Sequence, residues 1–178
     1  MKISIITVSY NSENFIENCI NSLISQSYKN IEYIIIDGLS TDNTLEIIKR
    51  YSKYISVIVS EPDKGIYDAM NKGIKLSSGK IIGFCNSGDI IYPGSIKIIL
   101  NNFSKKKLDV LFATVKRNYR GGVVIKSGFN INRIFYNFDF ATSHSTGFYV
   151  KREIHNEVGL YDTKFKLSAD YDMYLRLI

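Results

Sequence analysis

With 178 residues, 45% of them hydrophobic, the chain can bury one sizeable core and is read as a single domain over 1–178. A formal charge of +6 would suit nucleic acid, but Lys105-Lys106-Lys107 is the one dense cluster and the other cations are scattered; no nucleic-acid partner is expected, and a basic surface serves anionic headgroups or a phosphorylated substrate equally well. The sequence shows neither a basic-then-apolar leader nor an apolar run near about 18 residues, so neither a secretory signal nor a membrane span is expected, and Cys19 and Cys85, set in apolar periodic segments, read as reduced thiols of a reducing compartment.

The first predicted element is a strand, Ile3-Ser4-Ile5-Ile6-Thr7-Val8, which runs into the polar Ser9-Tyr10-Asn11. Behind it Phe15, Ile16, Cys19, Ile20, Leu23 and Ile24 recur at the spacing of one helix face. A second strand, Ile34-Ile35-Ile36, ends in Asp37-Gly38, itself a frequent turn pair; Ser40-Thr41-Asp42 then offers cap chemistry to a helix carrying Leu45, Ile48 and Tyr51. Val57-Ile58-Val59 runs into Ser60-Glu61-Pro62-Asp63-Lys64-Gly65, and Ile66, Met70 and Ile74 mark a third helix, with Gly79 as its expected terminator. A fourth strand, Lys80-Ile81-Ile82-Gly83-Phe84, stops at Cys85-Asn86-Ser87-Gly88-Asp89. Helices rather than hairpins separate these four runs, which predicts parallel strands whose polar ends gather on one rim. Open α/β sheets bind ligands there.

Beyond residue 104 the texture changes to shorter, aromatic-rich pieces: a strand over Leu108–Val115, a turn at Arg120-Gly121-Gly122, and another strand through Val123-Val124-Ile125. His144 stands among hydroxyls in Thr142-Ser143-His144-Ser145-Thr146, where a structural histidine and a ligand-contacting one are both consistent with the residues. His155 falls in a short helix expected to be exposed, and no role is assigned to it. A last helix runs from Ala169 to Leu177; within it Asp170 and Asp172 diverge by about 200°, so one site can face only one of them.

Five blocks, in this order, resemble the motifs of family 2 glycosyltransferases: Thr7–Asn11, Ile35–Thr44, Ser60–Gly73, Asn86–Asp89 and Ser168–Asp172. The resemblance implies an inverting enzyme with the α/β GT-A fold, a Rossmann-like, mostly parallel central sheet flanked by helices with a smaller acceptor-side β region. Residues 1–104 would bind the nucleotide-sugar donor and 105–178 the acceptor. Its donor residues map onto Thr7, Tyr10, Asp37, Lys64, Ser87 and Asp89: Asp37 would accept the uracil N3–H, Tyr10 would stack and Thr7 would line the base. Lys64 beside Gly65 would meet phosphate or base; Tyr67 and Asp68, next in that block, read equally well as packing residues of the helix. Asp89 matches the family's metal-binding acid, holding Mn²⁺ or Mg²⁺ against the diphosphate, although Gly88 stands where many members have a second Asp. His144 would contact phosphate, acceptor or metal, and Asp170 matches the catalytic base.

The resemblance further implies a UDP-sugar donor, a glycan or lipid-linked saccharide acceptor, a role in cell-surface polysaccharide synthesis, and a cytoplasmic location open to peripheral contact with the inner membrane face. The sugar, the linkage and the oligomeric state leave no local signature in the residues. Leu175-Arg176-Leu177-Ile178 carries no stop signal where family members usually continue, so a shortened chain with an incomplete acceptor site is an expectation too. A sugar nucleotidylyltransferase would need a Gly-rich, basic loop after the first strand, where this chain has Ser9-Tyr10-Asn11-Ser12-Glu13; a non-catalytic sugar-nucleotide-binding module is the alternative from another class.

Overall fold

The computed structural model describes residues 1–119, 122–126 and 145–177, so the Arg120-Gly121 part of the expected turn and His144 lie outside the described residues. The four apolar runs of the first half form β1 (Ile3–Ser9), β2 (Ile31–Asp37), β3 (Val57–Ser60) and β4 (Ile81–Phe84), with β2 and β4 parallel to β1 and β3 parallel to β2. Two later strands, β5 (Val110–Phe112) and β8 (Phe148–Lys151), complete a six-stranded sheet of order β3-β2-β1-β4-β8-β5, in which β8 is antiparallel to both neighbours. Between them in sequence, β6 (Val115–Tyr119) and β7 (Gly122–Lys126) pair as a separate antiparallel ribbon. This ribbon is the smaller β region expected of the second half.

All seven residues of β1 are buried, the signature of a central strand covered on both faces. Ile3 and Ile5 pack with α1 (Ile16–Ile24), α2 (Thr44–Arg50) and α4 (Ser95–Lys106) through Ile20, Ile48 and Phe103. Ile6 and Val8 face the opposite layer, where α3 (Ile66–Leu76) and α6 (Ala169–Arg176) contribute Met70, Ile74, Met173 and Tyr174. A short helix α5 (Ile154–Val158) follows β8. The alternation of side chains along a strand thus divides one run of Ile and Val between two helical layers. No described helix is long and apolar enough to cross a membrane.

Several local expectations are corrected. Phe15 precedes α1 and is 59% exposed, so the apolar face of that helix begins at Ile16. Gly79 does not terminate α3, which ends at Leu76 with Ser77 extended; a Cβ on Gly79 would meet the Ser4 amide nitrogen at 2.5 Å, so the glycine permits close backbone approach. The expected strand over 108–115 breaks at Ala113-Thr114: the Ala113 amide bonds Gly147 O at 2.7 Å, and the chain leaves the sheet to start β6. His155 is buried, not exposed; desolvation lowers its pKa and its Nδ1 lies 3.3 Å from Gly159 O.

At the strand starts, away from the rim, a polar knot joins β1, β2 and the entry to β4. Glu32 accepts from Lys2 Nζ (2.6 Å), Ser4 Oγ (2.6 Å), Ser78 Oγ (2.6 Å) and the Ser78 amide (2.7 Å). Burial alone would raise its pKa, but these bonds, Lys2 foremost, outweigh burial and hold the carboxyl at about 2.

Candidate functional site

The ends of β1, β2 and β3 are tied together by one carboxylate. Asp37 is fully buried; its Oδ1 accepts from Ser9 Oγ (3.1 Å) and Ser40 Oγ (2.5 Å), and its Oδ2 from the Ser40 amide (3.0 Å) and Ser60 Oγ (2.8 Å). Four donors occupy the lone-pair capacity of a carboxylate, so Asp37 braces the rim and offers no edge to a ligand. Thr7 is likewise turned inward: it is fully buried, donates to Cys85 O at 2.6 Å and lies 3.1 Å from Tyr33 Oη. Neither residue lines an open pocket, because strand alternation and the serine network point both into the protein.

The surface above this brace belongs to other residues. Tyr10 is 63% exposed, and its ring and the Asp63 carboxylate flank Gly38: a Cβ there would meet Asp63 Oδ2 at 2.5 Å and Tyr10 Cδ2 at 3.4 Å. Asp63 Oδ1 accepts from the Gly65 amide at 2.8 Å, which aims the side chain back over Gly38. The loops bearing this wall are clamped together, since the Asn11 amide bonds Ser40 Oγ and the Thr41 amide bonds Asn11 Oδ1, each at 2.9 Å. Asn11 (φ 46°) and Leu39 (φ 61°) hold left-handed conformations there; for Leu39 that is a strained geometry kept by its surroundings. Asp63 is the residue that the sequence reading missed, because in Pro62-Asp63-Lys64-Gly65 an Asp is unremarkable turn chemistry.

A second cluster forms where β4 ends. The Ser87 amide extends the ladder to Val8 O (3.2 Å), and Ser87 Oγ lies 2.8 Å from Ser12 Oγ, so Ser87 fastens two loops. The Asp89 amide closes a turn onto Asn86 O at 2.8 Å, and Asp89 Oδ2 accepts from Thr146 Oγ1. Asn86 Nδ2 donates to Ser145 Oγ at 2.9 Å, while its Oδ1 is buried without a hydrogen-bond partner among the described residues. Asp89, Thr146, Tyr92, Lys116 and Arg117 border a cavity of about 380 Å³. Among the described residues no group of three or more His, Cys, Asp or Glu gathers as a preformed metal cage. One carboxylate with an orphaned amide oxygen nearby in sequence nevertheless fits a hard cation that retains waters and takes further oxygens from a phosphate.

The third cluster joins α3 to α6. Gly65 opens α3 at φ 118°, a conformation that favours glycine, and the Lys64 amide bonds Asp68 Oδ2 at 3.1 Å. Lys64 is exposed and borders a cavity of about 220 Å³ with Tyr67, Phe165 and Lys166. Tyr67 Oη donates to Asp170 Oδ1 at 3.2 Å; burial first, then the Asp170 charge, pushes the phenol's pKa up. Asp172 is directed elsewhere, pairing with Arg176 Nη2 at 2.8 Å, while Arg176 also donates to the carbonyls of Val158 and Leu160. The two carboxylates diverge as helical spacing requires, and Asp170 is the one beside the α3 end of the rim.

The description Glycosyl transferase family 2 matches residues 4–159. The chain is 33% identical to a chondroitin synthase of Pasteurella multocida (strain Pm70) and to a hyaluronan synthase of Pasteurella multocida, each alignment covering 98% of this chain and 18% of the relative. It is 31% identical to a chondroitin synthase of Escherichia coli over 98% of this chain and 26% of that one. The chain therefore spans about a fifth to a quarter of the length of these relatives. Among solved structures, S. aureus TarS 1–349 superposes with a TM-score of 0.82 at 26% identity, over 99% of this chain and 55% of that one. The same TarS fragment in complex with UDP gives the same TM-score and identity, with 56% of its chain covered.

Proposed function

From the premise that the chain belongs to glycosyl transferase family 2 and has the GT-A fold, we propose that its rim binds a UDP-sugar and transfers the sugar with inversion to a glycan or lipid-linked saccharide in cell-surface polysaccharide synthesis. The observation that carries this reading is the placement of three polar clusters at the ends of parallel strands and the helices beside them: Tyr10 with Asp63, Asn86 with Asp89, and Tyr67 with Asp170. The UDP complex of TarS and the polysaccharide products named for the Pasteurella and E. coli synthases support the same donor and acceptor classes.

Tyr10 stacks on the uracil, and Asp63 Oδ2 accepts its N3–H, a role that the closed hydrogen-bond set of Asp37 leaves vacant. Lys64 adds a cation near the donor. Asp89 would hold Mn²⁺ or Mg²⁺, and such an ion would neutralise charge on the departing diphosphate. Asp170 takes the proton of the acceptor hydroxyl as that oxygen bonds to the anomeric carbon. The bond from that carbon to the diphosphate breaks on the opposite face, its electron pair leaving with UDP.

Melting curves with UDP- and GDP-sugars in Mn²⁺ test the donor: UDP-sugars raise the melting temperature and GDP-sugars do not. Asp170→Asn leaves UDP-sugar binding at the parental level while transfer, read as UDP release with saccharide acceptors, falls by about a hundredfold. Parental transfer in that variant would overturn the assignment of the base, and donor binding with no transfer to any acceptor would favour a sugar-nucleotide-binding module.

A further inference from the structure

We infer that Tyr67 and Asn71 are positioning residues that hold Asp170 toward the cleft, an inference that rests on the reading of Asp170 as the base. The two side chains are four residues apart in α3 and therefore share one helix face. Each reaches a different part of the segment that delivers Asp170.

Asn71 fixes the approach to α6. Its Nδ2 donates to Tyr161 O at 2.8 Å and its Oδ1 accepts from the Tyr161 amide at 3.0 Å, so both ends of one buried amide are committed to one backbone residue. Tyr161, itself buried, lays its ring against Tyr67 with centroids 5.5 Å apart. Asn71 thus sets the wall on which Tyr67 rests. Tyr67 then reaches across 103 positions of sequence to Asp170 Oδ1. The same oxygen accepts from the Tyr171 amide at 3.0 Å. Two donors, one from α3 and one from the backbone of α6, thus converge on Oδ1 and restrain the rotation of the carboxylate.

The reason such restraint matters is geometric. A general base must present a lone pair to a hydroxyl at hydrogen-bond distance, and small misplacements cost rate steeply. Asp170 stands in the first turn of α6, two residues after Ser168, whose φ of 71° makes the entry to the helix sharp. Within α6 the described donor to the Asp170 side chain is the adjacent Tyr171 amide. Other ionisable groups nearby include Tyr161 and Tyr174, both buried with pKa values pushed up, Tyr171, Asp172, which is engaged by Arg176, and, on the cavity that Tyr67 borders, Lys64, Asp68 and Lys166. Tyr67 is the described donor to Asp170 from outside α6.

Two measurements test this. In protein with ring-carbon-labelled tyrosine, the resonance missing from Tyr67→Phe should titrate above the ordinary tyrosine value of 10, and its midpoint should fall in Asp170→Asn as the neighbouring charge is removed. A midpoint unmoved by Asp170→Asn would overturn the inference. In kinetics, Tyr67→Phe should lower kcat for transfer roughly tenfold with the melting temperature and the KM for UDP-sugar unchanged, and the Tyr67→Phe/Asp170→Asn double variant should be no slower than Asp170→Asn. Losses that add in the double variant, or that accompany a lower melting temperature, would make Tyr67 a packing residue. If Asp170→Asn alone keeps parental transfer, the base assignment fails, while the titration still reports whether Tyr67 holds Asp170.

Discussion

Asp37 and Asp63 show how two acids on one rim acquire different duties. Asp37 satisfies three serine hydroxyls and an amide, so Asp37→Ala strands all of them in a buried setting and should cost on the order of 3 kcal/mol of stability, measured by denaturant unfolding. Asp63 braces one amide and otherwise faces Gly38 and Tyr10. Asp63→Ala should leave unfolding nearly unchanged and weaken UDP about tenfold by calorimetry, with pyrophosphate binding unaltered because only a nucleoside contact is lost. Equal losses for both ligands would remove Asp63 from the base pocket. Asp89→Asn should weaken UDP in Mn²⁺, and the difference from the parent should vanish in EDTA; a difference that persists in EDTA would locate the role of Asp89 outside metal binding.

At the scale of elements, α3 does more than cover the sheet. Gly73 lets the helix approach β1, since a Cβ there would collide with the Ile6 side chain, while Lys72 reaches Pro62 O at 2.7 Å and Glu61 at 2.9 Å to hold the loop carrying Asp63. The C-terminal turn of α6 has its own anchor in Arg176, which bonds Asp172 and the backbone carbonyls of Val158 and Leu160. Arg176→Ala should therefore lower stability by about 1–2 kcal/mol through the lost carbonyl bonds, with UDP affinity at the parental value. A change in UDP affinity without a change in melting temperature would contradict this division of labour between the α6 anchor and the rim.

Over the whole molecule, the polar knot around Glu32 lies at the strand starts and the candidate site at the strand ends. Glu32 is lowered in the fold from an ordinary 4.5 to about 2, so the unfolded chain binds the extra proton between those values. Its contribution is fully present above about pH 4.5 and is lost as pH falls toward 2. Acid unfolding of Glu32→Gln should show a shallower loss of stability across that window. An identical slope in parent and variant would assign acid sensitivity to other groups.

The sequence by itself determined the four parallel strands, the helices between them and the rim on which their polar ends meet, because those features follow from local periodicity: runs such as Ile34-Ile35-Ile36 must be buried on both faces, and intervening helical patterns force crossovers. The resemblance carried by the motif blocks also singled out Thr7, Tyr10, Asp37, Lys64, Ser87, Asp89, His144 and Asp170 as candidates. Tertiary structure decided which carboxylates are spent on the protein and which face outward, since that depends on partners distant in sequence: Ser9 and Ser60 close around Asp37, Arg176 turns Asp172 aside, and Tyr67 meets Asp170 across the domain. A side chain's orientation and its unspent hydrogen-bonding capacity are properties of packing, and no window of sequence contains both partners of bonds that span 103 residues.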